Sequence, residues 1–115
     1  MRILNKEEFL ALPVGVIYCC NRDRHHVGFS DLRIKDETVS ASDWFEVTLT
    51  QYEHNDTGEL CDRHDEMLAG KSYPLEISAC RNGLFEEENI FLVYEASDIA
   101  KLIIQLEGCI GCDQV

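Results

Sequence analysis

The alternation of apolar and polar residues predicts a chain that begins with a short helix followed by strands. Asn5 with Glu8 three residues later has the pattern of a capping box, which predicts a helix over residues 6–12 that Pro13 ends. The β-branched and aromatic residues of 14–19 then predict a buried strand. The first third of the chain is therefore expected to pack one helix against a sheet.

Two more strands are predicted in the middle of the chain. Within residues 27–35 the apolar positions change face part-way, so a bulge is expected near Ser30 and Asp31. Residues 44–52 alternate cleanly, with Phe45, Val47 and Leu49 on one face and mainly polar residues on the other. These three side chains are predicted to point into the core.

The second half of the chain predicts two longer helices around two strands. Asp56 is the expected cap of a helix that runs to about Ala69, and alternation over 75–79 and an apolar run over 90–95 predict strands, with a turn at Asn82-Gly83 between them. Ser97 is the expected cap of the last helix. Each helix carries one inward stripe: Leu60, His64, Met67 and Leu68 in the first, and Ile99, Leu102, Ile103 and Leu106 in the second.

The order of helix, three strands, helix, two strands and helix predicts a single α+β domain over residues 1–115. The expected architecture is an antiparallel or mixed sheet of about five strands with two to three helices packed on one face. A hydrophobic content of 45% is enough to form a core. The charged start and the lack of a long apolar run predict a cytoplasmic protein, in which the 6 cysteines are expected to be free thiols.

Charge is the most unusual feature of the sequence. Acidic residues outnumber basic ones by 22 to 10, and residues 36–66 hold ten of the acids with Arg63 as their one base. Such a segment either forms a solvated face or imitates the phosphate rows of a nucleic acid, and it repels nucleic acids and membranes. We expect it to bind a basic host protein, through candidate contact residues Glu53, Asp56, Glu59, Asp62, Asp65 and Glu66.

A small basic island offers a second hypothesis. Arg22, Arg24 and His25 are suited to holding a phosphate group, and Trp44 is suited to stacking on a base. Together they predict a pocket for a small signalling nucleotide. The alternative is a solvated loop whose charges balance the acidic segment.

Cysteine and histidine spacing gives a third hypothesis, a zinc site. Cys61 and His64 lie one turn apart on a predicted helix, and Cys109 and Cys112 lie near the C-terminus. The alternative is a partly buried histidine and an unliganded thiol tail, so that the protein has no cofactor. No nucleophile motif or glycine-rich phosphate loop is present, and we do not expect an enzyme.

Several apolar and turn motifs resemble those of small proteins carried by bacteriophages and prophages, most of which have no assigned function. The matching positions are Glu8-Phe9-Leu10-x-Leu12-Pro13-x-Gly15-x-x-Tyr18, Phe29-x-x-Leu32-x-Ile34-Lys35, Arg81-Asn82-Gly83-Leu84-Phe85 and Phe91-x-Val93-Tyr94-Glu95-x-x-Asp98-Ile99-x-x-Leu102. The resemblance implies an accessory protein that acts in the host cytoplasm, where many such proteins bind a nuclease complex or a signalling nucleotide. It assigns no functional residue.

These observations lead to one main expectation with two alternatives. The main expectation is a non-enzymatic, anti-CRISPR-like inhibitor whose acidic face blocks a basic nucleic-acid-binding surface of a host defence protein. The alternatives are a sponge for a signalling nucleotide and a zinc-stabilised interaction domain. The sequence leaves the oligomeric state open, with a homo-oligomer among the possibilities.

Overall fold

A computed structural model of the chain describes residues 1–21, 25, 27–40, 43–82 and 89–111, except for the side chains of Arg81 and Asn82. Six strands form one antiparallel sheet in the order β1-β6-β2-β3-β4-β5, which confirms the α+β prediction with one strand more than the expected five. The elements in chain order are β1 (Arg2–Asn5), α1 (Lys6–Leu10), β2 (Ile17–Asn21), β3 (Arg33–Ser40), β4 (Asp43–Tyr52), α2 (Thr57–Leu68), β5 (Leu75–Asn82), β6 (Ile90–Val93) and α3 (Ala96–Ile110).

The first helix begins where the capping pattern predicts. The Asn5 side chain accepts a hydrogen bond from the backbone N–H of Glu8 at 2.9 Å, and the Glu8 carboxylate accepts one from the N–H of Asn5 at 3.1 Å. The cap holds α1 directly against β1, the additional strand. With only four residues, β1 is too short to show a strand-like alternation, which explains why the sequence did not predict it.

The core is an aromatic cluster between α1 and one face of the sheet. Phe9 of α1 stacks on Phe91 of β6, with ring centroids 4.0 Å apart, and its edge contacts Tyr18 and Trp44. All four rings are 0% exposed, and Leu4 and Val93 pack around them. Burial of these large side chains is the main source of stability in this part of the molecule.

The predicted orientation of β4 is wrong. Trp44 and Glu46 point into the core, whereas Phe45, on the other face, is 39% exposed. Glu46 can be buried because its carboxylate accepts hydrogen bonds from the Tyr18 hydroxyl and from Arg33 Nη1, the latter at 2.8 Å. Burying the indole of Trp44 determines the orientation, and these two partners satisfy the acid that comes inward with it.

The other two helices do not bury the stripes that were predicted to face the core. Neither α2 nor α3, each described along its full length, has a buried residue. In α3 the start of the stripe is half-buried, but exposure rises to 65% at Leu106 and 84% at Ile110. Amphipathic spacing correctly predicted both helices, but it does not specify which surface an apolar stripe meets.

Three local predictions also need correction. The strand predicted from residue 27 begins at Arg33, and its register shifts lie between Lys35 and Ser40, not near Ser30. Before it, Ser30 bonds through its backbone to Cys20 at 2.8 Å, so this segment pairs locally with the end of β2. The last helix is capped by Glu95 in place of the predicted Ser97. The predicted Asn82-Gly83 turn lies partly outside the described residues.

Candidate functional site

The acids of residues 36–66 separate into a buried group and an exposed group. Asp43 and Glu46 are buried and are unavailable to a partner. The six predicted contact residues instead lie on α2 and the segment that leads into it, where they are exposed or half-exposed. We call this set, Glu53, Asp56, Glu59, Asp62, Asp65 and Glu66, the acidic helix surface.

Local capping explains why α2 starts where it does. The Asp56 side chain accepts a hydrogen bond from the N–H of Glu59 at 2.8 Å, as expected for an N-cap. One turn later, the hydroxyl of Tyr52 at the end of β4 donates to the carbonyl of Leu60 at 2.9 Å. The helix is thus attached to the sheet through the end of β4.

The acids of α2 share one side of the helix. Positions 59, 62 and 66 are separated by three, four and seven residues, and Asp65 lies beside Asp62 on the same side. Residues 53–66 contain six acids and one base, Arg63, so their net charge is −5 with histidines neutral. A helix with this arrangement presents a negative field to solvent.

Part of that charge is neutralised within the protein. Arg63 pairs with Glu53 at 3.1 Å and with Glu59, while Glu66 pairs with Lys71 at 2.9 Å. A hydrogen bond from Tyr73, followed by the bond from Lys71, lowers the pKa of Glu66. Across the described residues, no ion pair involves Asp62 or Asp65, which are both exposed. These two carboxylates are the part of the surface most available to an external cation.

A shallow cleft runs beside the acidic helix surface. It is lined by Tyr52, Leu60, Cys61, His64 and Asp65 and has a volume of about 360 Å³. Its walls are mainly apolar, and Asp65 lies at the border between the cleft and the acids. The residues predicted as an inward stripe, Leu60 and His64, therefore line a surface groove.

The zinc residues are only partly brought together. Cys61 and His64 lie one turn apart on α2, Cys109 lies on α3, and Cys112 falls outside the described residues. Within the described ranges, no group of three or more metal-binding side chains occurs. The fourfold site stays a prediction, supported by one adjacent Cys–His pair.

The nucleotide residues require one correction. Trp44 is 0% exposed, and its indole N–H donates to the Tyr18 hydroxyl at 2.9 Å, so it cannot stack on a ligand base. The sequence suggested stacking because nothing in it distinguishes a core tryptophan from a surface one. His25 is exposed, while Arg22 and Arg24 lie outside the described residues.

Asn89 was not predicted as a site residue. It is 1% exposed, yet within the described part of the chain neither its amide nitrogen nor its amide oxygen has a hydrogen-bond partner. It directly precedes Ile90, which pairs with Asn5 on one side and Asn21 on the other. In the sequence it looks like an ordinary turn residue, and no local pattern indicates that it is buried.

Two of the thiols are held in their protonated form. Burial raises the pKa of Cys19 and of Cys80, which disfavours the thiolate. None of the five cysteines within the described residues forms a disulfide.

Comparisons with known proteins add no family. No protein-family model, curated protein or solved structure matches this chain. None of the helices among the described residues is long and apolar enough to cross a bilayer.

Proposed function

We propose that this chain is a non-enzymatic binding protein that uses the acidic helix surface to cover a basic, nucleic-acid-binding surface of another protein. The resemblance to phage accessory proteins suggests a host defence protein in the bacterial cytoplasm as the target. The observation that carries the proposal is that α2 extends from the sheet with no buried residue and with its acids on one side. A carboxylate row of this kind competes with phosphates for lysine and arginine side chains.

Electrostatic binding of this type depends on salt in a measurable way. Exposed charges are screened within about 10 Å at 0.1 M salt, so association should slow markedly between low and moderate ionic strength. The first experiment is a pull-down from bacterial lysate at two salt concentrations, with the chain as bait. A captured protein is then tested for loss of nucleic-acid binding when the chain is added in excess.

Charge reversal distinguishes the acidic helix surface from general acidity. The variant Asp62→Lys/Asp65→Lys should reduce the association rate by about tenfold or more, because it reverses the two unpaired carboxylates. The matched control Glu37→Lys/Glu107→Lys makes the same change in net charge at exposed acids outside α2 and should have a much smaller effect. Association that ignores both the α2 reversal and the salt concentration would rule out this function.

A second candidate, the sponge for a small signalling nucleotide, is supported by Asn89. A buried amide with no partner is uncommon, and a polar ligand entering this end of the sheet would satisfy it. Asn21, which flanks the same end, directly precedes the basic island of residues 22–26 in sequence. Trp44 no longer belongs to this hypothesis.

The sponge is tested by native mass spectrometry of the purified protein and by calorimetry with a panel of cyclic and linear nucleotides. A bound nucleotide whose affinity falls on Asn89→Ala or His25→Ala substitution would support it. The sponge hypothesis would be excluded if no nucleotide of the panel gave a heat of binding and no nucleotide remained bound after purification.

A further inference from the structure

Two apolar surfaces are left uncovered by the residues that the structure describes. The first is the side of α3 formed by Ile99, Leu102, Ile103, Leu106 and Ile110, which we call the α3 stripe. Exposure increases along it, from 49% at Ile103 to 84% at Ile110. The arc of the helix that these residues occupy contains no charged residue.

The second surface is the face of the sheet opposite the aromatic core. Residues opposite each other in antiparallel strands share a face, so Ile34 and Val47 lie together, and Phe45 and Ile77 extend the same face by strand alternation. Leu75 and Ile77 on the edge strand β5 are each 62% exposed, and Phe45 is 39% exposed. We call Ile34, Phe45, Val47, Leu75 and Ile77 the open apolar face.

The chain does not cover one of these surfaces with the other. The α3 helix follows β6, and three strands separate β6 from β5 in the sheet. At about 4.8 Å per strand, β5 lies about 19 Å from β6, and the exposures show that α3 does not reach it. An apolar sheet face and an apolar helix stripe each need a partner, and here each copy of the chain carries both.

We propose that two copies of this chain associate, with the α3 stripe of each lying on the open apolar face of the other. Two-fold symmetry makes the contact reciprocal, so a single pairing covers all four surfaces. A second copy fits these surfaces better than a basic protein does, because the side chains that define both of them are apolar and offer no row of carboxylates to lysine or arginine.

The proposed dimer does not depend on the proposed function. The two can be distinguished by how each association responds to salt. Association through mainly apolar surfaces should persist or strengthen as salt rises, because each copy carries a net charge of −12 and repulsion between copies is screened. Binding of a basic partner should weaken under the same conditions. Either property can therefore fail without the other.

The test is sedimentation velocity over a range of protein concentrations, with variants on each surface. Wild-type protein should reach twice the 13.2 kDa chain mass, whereas Leu106→Glu and Ile77→Lys should each sediment as monomers. Both positions are more than 60% exposed, so the fold should survive, as circular dichroism can verify. The control Leu68→Lys changes a residue on α2 that is 75% exposed and should remain dimeric.

Mixing the two monomeric variants tests the reciprocal geometry. A mixed pair contains one native contact and one in which Glu at position 106 faces Lys at position 77, so the dimer should return. Hydrogen exchange of the wild type should show α3 and β5 losing protection together on dilution. A monomeric wild type, a dimeric Ile77→Lys variant, a mixture that stays monomeric, or protection that is independent of concentration would each overturn the proposal.

Discussion

The two ends of the six-stranded sheet differ in how much side-chain surface they bury. At one end, β1, β6 and β2 are covered by α1, and the rings of Phe9, Tyr18 and Phe91 are fully buried there against Trp44 from the start of β4. At the other end, β4 and β5 continue beyond the core, carry α2, and leave Leu75 and Ile77 exposed. The first end has the burial that stabilises a fold, while the second has the exposed charge and apolar surface that suit binding. A small domain can thus keep its stability in one region and leave another available for partners.

The largest expected effect on stability comes from removing the ring of Phe9, at the centre of the packed end of the sheet. Phe9→Ala deletes a fully buried side chain that contacts Tyr18, Trp44 and Phe91, and should lower the free energy of unfolding by about 3–5 kcal/mol. Leu75→Ala, on the open end, should change it by less than about 1 kcal/mol when measured in dilute, monomeric protein. Urea denaturation of both variants gives the comparison. Equal losses would mean that the two ends are equally packed.

The second-largest expected loss of stability comes from substituting Glu46, whose carboxylate is buried. Glu46→Gln weakens the bonds with Arg33 and Tyr18 in a nearly water-free site, and should cost about 2 kcal/mol by urea denaturation. The exposed Glu37→Gln should cost less than about 0.5 kcal/mol. If both variants unfold at the same urea concentration, Glu46 adds no stability to the core.

Reversing charge on α2 should leave stability almost unchanged. Asp62→Lys/Asp65→Lys alters two exposed residues of a helix with no buried side chain, so the free energy of unfolding should move by less than about 0.5 kcal/mol. The measurement is the same urea titration, run beside the association assay. A large loss of stability would show that α2 supports the fold and would weaken its assignment as a binding element.

The smallest expected effect is a change in the pKa of Glu66, near the C-terminal end of α2. Tyr73→Phe removes the main hydrogen bond that lowers the pKa of Glu66, so that pKa should rise toward its ordinary value, as NMR titration can measure. A carboxyl whose pKa is lowered by folding stabilises the fold above its ordinary pKa of about 4.3 and loses that contribution as the pH falls through its folded-state pKa. The attachment of α2 should therefore weaken only under acidic conditions. An unchanged pKa would mean that Lys71 alone determines the charge of Glu66.

Local signals in the sequence predicted most of the elements, and failed where tertiary contacts decide. The caps at Asn5 and Asp56 were correct because capping depends on residues three positions apart. The inward face of β4 was assigned to Phe45 because alternation alone cannot show that Glu46 finds Arg33 and Tyr18 inside. For the same reason, the sequence did not show that the apolar stripes of α2 and α3 would be exposed.

The candidate site was predictable only in part. Clustered charge in the sequence correctly placed six acids on and before α2, but not the pairing of Arg63 with Glu53 and Glu59, which depends on how the helix meets β4. Trp44 was placed in a ligand pocket because a core indole and a surface indole look alike in sequence. Asn89 directly precedes the strand that pairs with both β1 and β2, so its burial depends on three segments distant in sequence and no single segment encodes it.

The position of β6 between β1 and β2 has a consequence for the order in which the protein is made. Arg2 pairs with Val93, and Phe9 stacks on Phe91, so β1 and α1 are synthesised before the strand that they pack against, which follows more than eighty positions later in the sequence. Until then the ring of Phe9 lacks its stacking partner Phe91, and the incomplete core is exposed to aggregation or to chaperones. A translational pause before residue 90 should therefore lower the yield of native protein more than a pause of equal length after α3.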